Sequence, residues 1–460
     1  MPLQFIIGSS GIGKTHYACE QIIRESMENP QHLYYIIVPE QFTMQTQKNV
    51  VEMHPGKGIL NIDVLSFQRL AYRIFEETGG AREVLLDDTG KSMVLQKLVQ
   101  QHRKNLPYLG SQMNKPGYLD EVKSLISEFM QYDIREEELQ DMLGKTGEDS
   151  LLHMKMQDVG VLYQAFLQYL EGHYMTGEGV MDALKKAIPF SDKLKKSVLL
   201  LDGFTGFTPV QMNVIRELLN VCDKVLVTVT MDAGENPLQL GKPHQLFYMS
   251  RKMIHTLSGL TSNLDDPVLL KDERKGRFGN STSLDFLEKH LFRYRRSAYE
   301  KKQEEICIFA AESPVKELEE TARRIRRLVR EKNLKYGEIA VITGNLEAYK
   351  SIASQVFEES RIPYFLDEKH TILMNPFIEY IRAALEMVTK GFSYESVFRY
   401  LRCDMSGLGR EQVDMLENYV LALGIHGYKK WSEKWESLPD HGPGGYSSPE
   451  RIPGNICEGG

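Results

Sequence analysis

The sequence predicts an α/β fold built on a parallel sheet that carries a phosphate-binding loop. Three observations predict it. A short apolar run, QFII (4–7), enters GSSGIGKT (8–15), and a helical pattern follows from Lys14. Two further β-branched and aromatic runs, HLYYIIVPEQ (32–41) and GILNIDVLSF (58–67), alternate with helical stretches. Two more, KKSVLLLDGF (195–204) and CDKVLVTVTMD (222–232), come after a long helical region. Strand–helix alternation makes neighbouring strands parallel, because each crossover helix returns the chain to the same end of the sheet.

Taken in order, residues 1–84 form the first part of this domain. Pro39 ends its second strand, and Gly79 is placed to cap the helix FQRLAYRIFEETGG (67–80). Residues 85–194 read as a helical insertion. Within it, GYLDEVKSLISEFMQY sets Leu119, Val122, Leu125, Ile126, Phe129 and Met130 on one stripe. Residues 195–255 resume the sheet, and the polar, weakly periodic stretch 256–303 reads as a connector. A second α/β unit begins at 304 and runs to 375. Its expected strands are EEICIFAAES (304–313), YGEIAVITGN (336–345) and YFLD (364–367). Residues 376–438 form a second, partial helical subdomain. The last stretch, 439–460, holds six glycines and four prolines and builds no core. It reads as a disordered tail or the edge of a shortened chain.

A chain of 460 residues has room for about three domains. The formal net charge of -7 excludes a global basic field, although a local basic groove remains compatible with it. The five cysteines come no closer than 54 residues in sequence, which is neither a zinc nor an iron–sulfur spacing and fits a reducing, cytoplasmic setting. The strongest apolar run, LYYIIV, is too short for a membrane span. MPLQFII runs straight into the glycine loop, so it reads as a strand and not a signal peptide.

The chemistry starts in the loop. Gly8, Ser9, Ser10, Gly11, Ile12, Gly13, Lys14 and Thr15 satisfy G-x-x-x-x-G-K-[ST]. Glycines let backbone N–H groups wrap phosphates, Lys14 reaches the terminal phosphates of ATP, and the Thr15 hydroxyl suits a magnesium ion. A second magnesium-side oxygen is expected at the end of a buried strand, and SVLLLD supplies Asp202.

GSSGIGKT and LLLDGFTGFTPVQ, separated by a helical insertion, resemble the first RecA-like motor domain of superfamily 1 helicases of the UvrD/RecB type. The resemblance is closer still to the AddB family, which pairs with AddA in the AddAB helicase–nucleases. VPEQFT, VLSFQRLAYRIFEETGG, LLDGFTGFTP, AAESPVKELEETARRIRRLV and FRYLRCDMSGL are similar to AddB segments in the same order, over roughly residues 3–435. The resemblance implies a RecA-like domain with a helical insertion, followed by the start of a second RecA-like domain with its own. It also implies a non-translocating, ATP-binding scaffold that reads a recombination hotspot in DNA during double-strand-break processing, beside an AddA-like helicase–nuclease partner. The departures matter. Active UvrD-type motors have D-E-F-Q-D-T-N-x-x-Q where this chain has DGFTGFTPVQ (202–211), so Gly203 replaces the general base. Loss of positioned proton transfer costs about 10²–10⁴ in rate. The sensor glutamine expected after VLVTVT is not evident in MDAGENPLQL (231–240), and seven residues before the loop leave no room for the adenine-reading glutamine segment. No catalytic residue is therefore assigned. The family's nuclease and its four-cysteine iron–sulfur cluster are expected only in full-length members.

For DNA, the resemblance points to the loops after the second and third strands, hence Gln41, Phe42, Ser66, Phe67 and Arg69, with aromatics as stacking platforms. The competing roles are a strand-end turn for Gln41 and a core position for Phe67. RRIRRLVREK (323–332) is a phosphate-contact candidate or a solvated face matched by Glu317, Glu319 and Glu320. Asp266 with Glu273 and Lys275 faintly mimics a nuclease motif, but a solvated loop is the stronger reading. An active superfamily 1 translocase and a small-molecule P-loop kinase are the alternative functions; the second α/β unit argues against the kinase.

Overall fold

The structure is a computed structural model that describes residues 2–436 except 81–82, 114, 116, 148–149, 233, 272–275, 294–296 and 368–371. Glu273, Lys275 and the stretch 439–460 lie outside the described residues. The chain divides into two units, Met1–Cys307 and Ile308–Gly460.

Continuous aliphatic and aromatic runs become strands buried on both faces, as a parallel sheet between helical layers requires. In chain order the first unit starts β1 (Leu3–Gly8), α1 (Lys14–Glu28), β2 (Leu33–Ile37), α2 (Thr43–Met53), β3 (Ile62–Leu65) and α3 (Phe67–Thr78). Gly79, at φ 88°, caps α3. Next come β4 (Val84–Leu86), α4 (Asp88–His102), α5 (Leu109–Gln112), α6 (Tyr118–Gln131), α7 (Glu136–Gly144), α8 (Leu151–Leu170) and β5 (Tyr174–Thr176). The unit closes with α9 (Gly179–Ala187), β6 (Ser197–Leu201), α10 (Pro209–Val221), β7 (Lys224–Thr230), α11 (Tyr248–Ser258), β8 (Val268–Leu269) and α12 (Thr282–His290).

Six of these strands form one sheet in the order β3-β2-β6-β7-β1-β8, every pairing parallel. Alternation along each strand divides the side chains between two cores. Phe5, Ile7, Tyr35, Leu199 and Val227 meet α3, α9, α10 and α11 on one face. Ile6, Ile36, Leu200 and Leu226 meet α1 and α2 on the other. The expected connector is more ordered than its charge suggested: it supplies β8, paired to β1, and α12.

The insertion has its own core, including Leu95, Leu98, Ile126, Leu139, Leu162 and Phe166. Its base is closed by β4 and β5, paired in parallel as a separate two-stranded sheet. A buried ion pair, Lys91 Nζ to Glu178 Oε2 at 3.0 Å, ties α4 to the start of α9. Inside, Asp158 of α8 is fully buried and accepts from the Tyr108 and Leu109 N–H groups at 2.9 and 2.7 Å.

The second unit holds α13 (Pro314–Lys332), α14 (Leu346–Glu359), α15 (Pro376–Thr389), α16 (Tyr394–Leu401), α17 (Arg410–Leu423) and α18 (Gly427–Trp431). The helices fall where the apolar periodicity put them. The three expected strands do not form: the described parts of 304–313, 336–345 and 364–367 carry no strand pairing. Ile308, Val341, Ile342 and Phe365 are exposed there. The first unit supplies the physical reason. There β1 and β2 never touch, because β6 and β7, which follow the insertion, lie between them. No strands follow the helices among the described residues of the second unit, so its extended segments have no ladder to join.

Candidate nucleotide site and DNA-facing surface

In the first unit every candidate residue sits at or just beyond the carboxyl ends of the parallel strands, the edge where open α/β sheets hold ligands. Gly8 ends β1, and the loop turns into α1 through Gly11 (φ 77°) and Gly13 (φ 99°), a left-handed region closed to most side chains. Gly13 is also the residue before α1, so the helix directs its first N–H groups and positive dipole end at the loop. Lys14 Nζ donates to the Ser9 carbonyl at 2.8 Å. Burial pushes the Lys14 ammonium below its ordinary value, opposed by the charges of Asp202 and Glu288.

Asp202 follows β6 and is buried. The Thr15 hydroxyl lies 3.0 Å from both of its carboxylate oxygens, and the Thr228 hydroxyl of β7 donates to Oδ1 at 2.6 Å. A hydroxyl and a carboxylate converging beside a phosphate loop are hard oxygen donors of the kind magnesium takes. The fit is therefore good: Thr15 and Asp202 would hold the ion, which would neutralise phosphate charge. Behind them, burial and then the nearby Asp202 charge push the Cys19 thiol up to about 12.

Gly203 is more than a missing carboxylate. Its φ is 78°, and its N–H donates to the Thr228 hydroxyl at 3.4 Å. The backbone has taken a conformation suited to glycine at the position where a general base is expected. The neighbours that stayed in register have structural work: Phe204 packs edge-on to Phe67 at 5.6 Å, and Gln211 forms a capping box with Thr208 at the start of α10. After β7, Gln239 is exposed and Asp232 is gripped by Arg293 through contacts of 2.8–3.1 Å.

Sequence reasoning missed the segment leading into α12. The Arg277 N–H donates to the Gly11 carbonyl at 2.8 Å, and Phe278 lies so close that a Cβ on Gly11 would meet its ring at 2.8 Å. A cleft of about 200 Å³ opens between Ser9, Ser10, Phe278, Thr282 and Glu288. On the other side of the loop, Arg277 shares a second cleft with Lys14 and Thr15. The one signal for this segment was GRFGNSTS, a glycine-flanked aromatic before a Ser N-cap, hidden in a charged stretch.

The five DNA candidates separate. Gln41 and Phe42 stand exposed on a 3₁₀ turn after β2, Phe42 at 48%. Arg69 is exposed beside them and pairs with Glu40 at 3.2 Å. Ser66 and Phe67 are placed otherwise: both are 5% exposed. Ser66 caps α3 by accepting from the Arg69 N–H, and Phe67 joins the core with Phe204 and Phe207. The apolar start of an amphipathic helix draws Phe67 inward. Between this aromatic group and the insertion lies a cleft of about 410 Å³ edged by Glu40, Gln68, Gln131 and Gln211. Asp266 is exposed. Among the described residues no acidic, His or Cys cluster could hold a metal, and no helix is long and apolar enough to cross a membrane.

A parallel six-stranded sheet with the phosphate loop after β1 and an acid after β6 defines a RecA-like P-loop domain. Residues 279–433 match the UvrD-like helicase C-terminal domain family. Residues 5–288 match the ADDB N-terminal family, and the chain belongs to the AddB family. It is 42% identical over 444 residues to the AddB-type ATP-dependent helicase/deoxyribonuclease protein of Lachnoclostridium phytofermentans. It is 34% identical to proteins of the same name from Clostridium novyi and Caldanaerobacter subterraneus. These alignments cover 95–96% of this chain but 38% of each relative, so the chain spans about two-fifths of their length.

Proposed function

We propose that this chain is the ATP-binding, helicase-like part of a DNA helicase–exonuclease complex, one that holds nucleotide without using it to move. The carrying observation is the pair Asp202–Gly203, in which the metal-side acid is buried and supported while the base position has neither carboxylate nor a suitable backbone. Lys14, Thr15 and Asp202 bind ATP with magnesium, Arg277 adds positive charge at the mouth, and hydrolysis is slow. Bound nucleotide then acts as a structural or regulatory ligand.

The names of the relatives support a place in DNA end processing and homologous recombination, beside an AddA-like partner in the cytoplasm. Gln41, Phe42 and Arg69 contact single-stranded DNA at the insertion cleft, and this surface reads a Chi-type hotspot. Phe67 and Ser66 support it from beneath. Nuclease and iron–sulfur chemistry are assigned to no residue of this chain.

The test is equilibrium binding of a fluorescent ATP analogue with magnesium, followed by turnover with and without DNA. Binding abolished by Lys14→Ala, with turnover slow and indifferent to DNA, is the expected result. Robust DNA-stimulated hydrolysis would overturn the reading in favour of an active translocase.

A further inference from the structure

Helix α13 of the second unit carries RRIRRLVREK, with six cations and one acid between residues 323 and 332. Such a stretch is ordinarily a solvated face matched by acids one turn away. Here the acids are already engaged, and they lie at the other end of the helix. Glu319 pairs with Lys316 at 2.8 Å, Glu320 with Arg323 and Arg324 at 3.2 and 3.0 Å, and Glu317 accepts from the Tyr349 hydroxyl at 2.8 Å. Arg330 has its sequence neighbour Glu331 at 3.3 Å, on the surface. Arg326 and Arg327 have no ion-pair partner among the described residues; Arg327 acts only at a distance on Glu320, which already binds two arginines.

The opposite side of the helix explains why these side chains cannot turn away. Leu318, Ala322 and Ile325 are buried against Ala353, Val356 and Phe357 of α14. Arg323, Arg326, Arg327 and Arg330 are therefore held on the exposed face, at successive turns. They make a row about 10 Å long at 1.5 Å per residue.

We propose that this row binds the phosphate backbone of DNA. A guanidinium is always charged and its donor fork fits two oxygens of one phosphate, so a row of arginines suits a repeated anion. A protein-docking face needs an apolar centre with few charges, and this row has the reverse composition. The inference does not depend on the nucleotide reading, since no ATP enters it, and it uses a different unit from Gln41, Phe42 and Arg69.

The experiment measures the affinity of the 460-residue chain for a labelled duplex with a single-stranded tail, from about 50 to 200 mM salt. Each lost phosphate contact removes about 0.9 from the slope of log affinity against log salt. The triple variant Arg326→Gln, Arg327→Gln, Arg330→Gln should flatten that slope by about 2–3 and weaken binding regardless of sequence. The matching triple Lys variant should keep the slope, because it keeps the charge. Phe42→Ala should also leave it unchanged. Three outcomes would overturn the proposal: a parent chain that does not bind DNA, an unchanged slope in a Gln variant with an unaltered melting curve, or an unchanged slope with lost association to an AddA-like partner. The last would reassign the row to protein docking.

Discussion

Replacing Gly203 by Glu restores the residue that active motors carry, and the structure predicts that it does not restore their activity. An added Cβ has room, its nearest neighbour being Pro39 Cδ at 3.7 Å. The obstacle is the backbone. At φ 78° an L-residue costs roughly 1–2 kcal/mol, and relaxing that angle disturbs the Gly203 N–H bond to Thr228, whose hydroxyl also supports Asp202. For a unit of this size, 1–2 kcal/mol lowers the melting temperature by roughly 2–8 °C. Gly203→Ala carries the same backbone cost without a carboxylate, so both variants should melt at the same reduced temperature. A base restored in working geometry would raise turnover by about 10²–10⁴; the expectation for Gly203→Glu is a gain below about tenfold. The assays are a thermal melt and steady-state phosphate release with magnesium and ATP. A Glu variant as stable as the parent and turning over about 10²-fold faster would refute the claim that the backbone, as well as the side chain, has departed from hydrolysis.

Thr228→Val leaves Asp202 Oδ1 without its 2.6 Å donor in a buried place and should cost about 1–3 kcal/mol, read in a denaturant melt, with weaker magnesium-dependent ATP binding. Lys91→Met strands a buried Glu178 and should cost about 3–5 kcal/mol, while the double variant with Glu178→Gln recovers part of that. For Glu178, burial favours the neutral form, but the hydrogen bond and charge of Lys91 outweigh it and hold the carboxyl below the usual 4.5. Its stabilisation is therefore present above about pH 4.5 and is lost as pH falls through the lower folded value, so Glu178→Gln should flatten the acid limb of a stability–pH curve. Burial holds the Cys19 and Cys222 thiols up to about 12, so alkylation near pH 8 should spare both and leave nucleotide binding unchanged until the chain unfolds.

How much of this was legible in the sequence depended on how local the cause was. The phosphate loop, Asp202 and the five longer strands of the main sheet announce themselves through glycine spacing and unbroken apolar runs. The helices follow from periodicity in both units. What the sequence hid was set by distant packing. Phe67 and Ser66 sit in a loop-like motif, yet the α3 register turns one into the core and makes the other a cap. The two residues of β8 are too few to show a period, and Arg277 and Phe278 reach the phosphate loop only because α12 folds beside it. Lys91, Glu178 and Asp158 look like surface charges until their partners are known. The extended segments of the second unit have strand composition without strand pairing, because composition does not supply a neighbour.

The parallel pairing of β4 with β5 has an engineering consequence. Residues 84 and 174 are register partners, so the helical module leaves and rejoins the sheet domain at adjacent points, about 4.8 Å apart. Its internal core lets such a segment be cut out and bridged by a short linker, or exchanged for another helical module, with little demand on the RecA-like framework. Nature can vary the part that borders the reading cleft while the nucleotide cradle stays as it is.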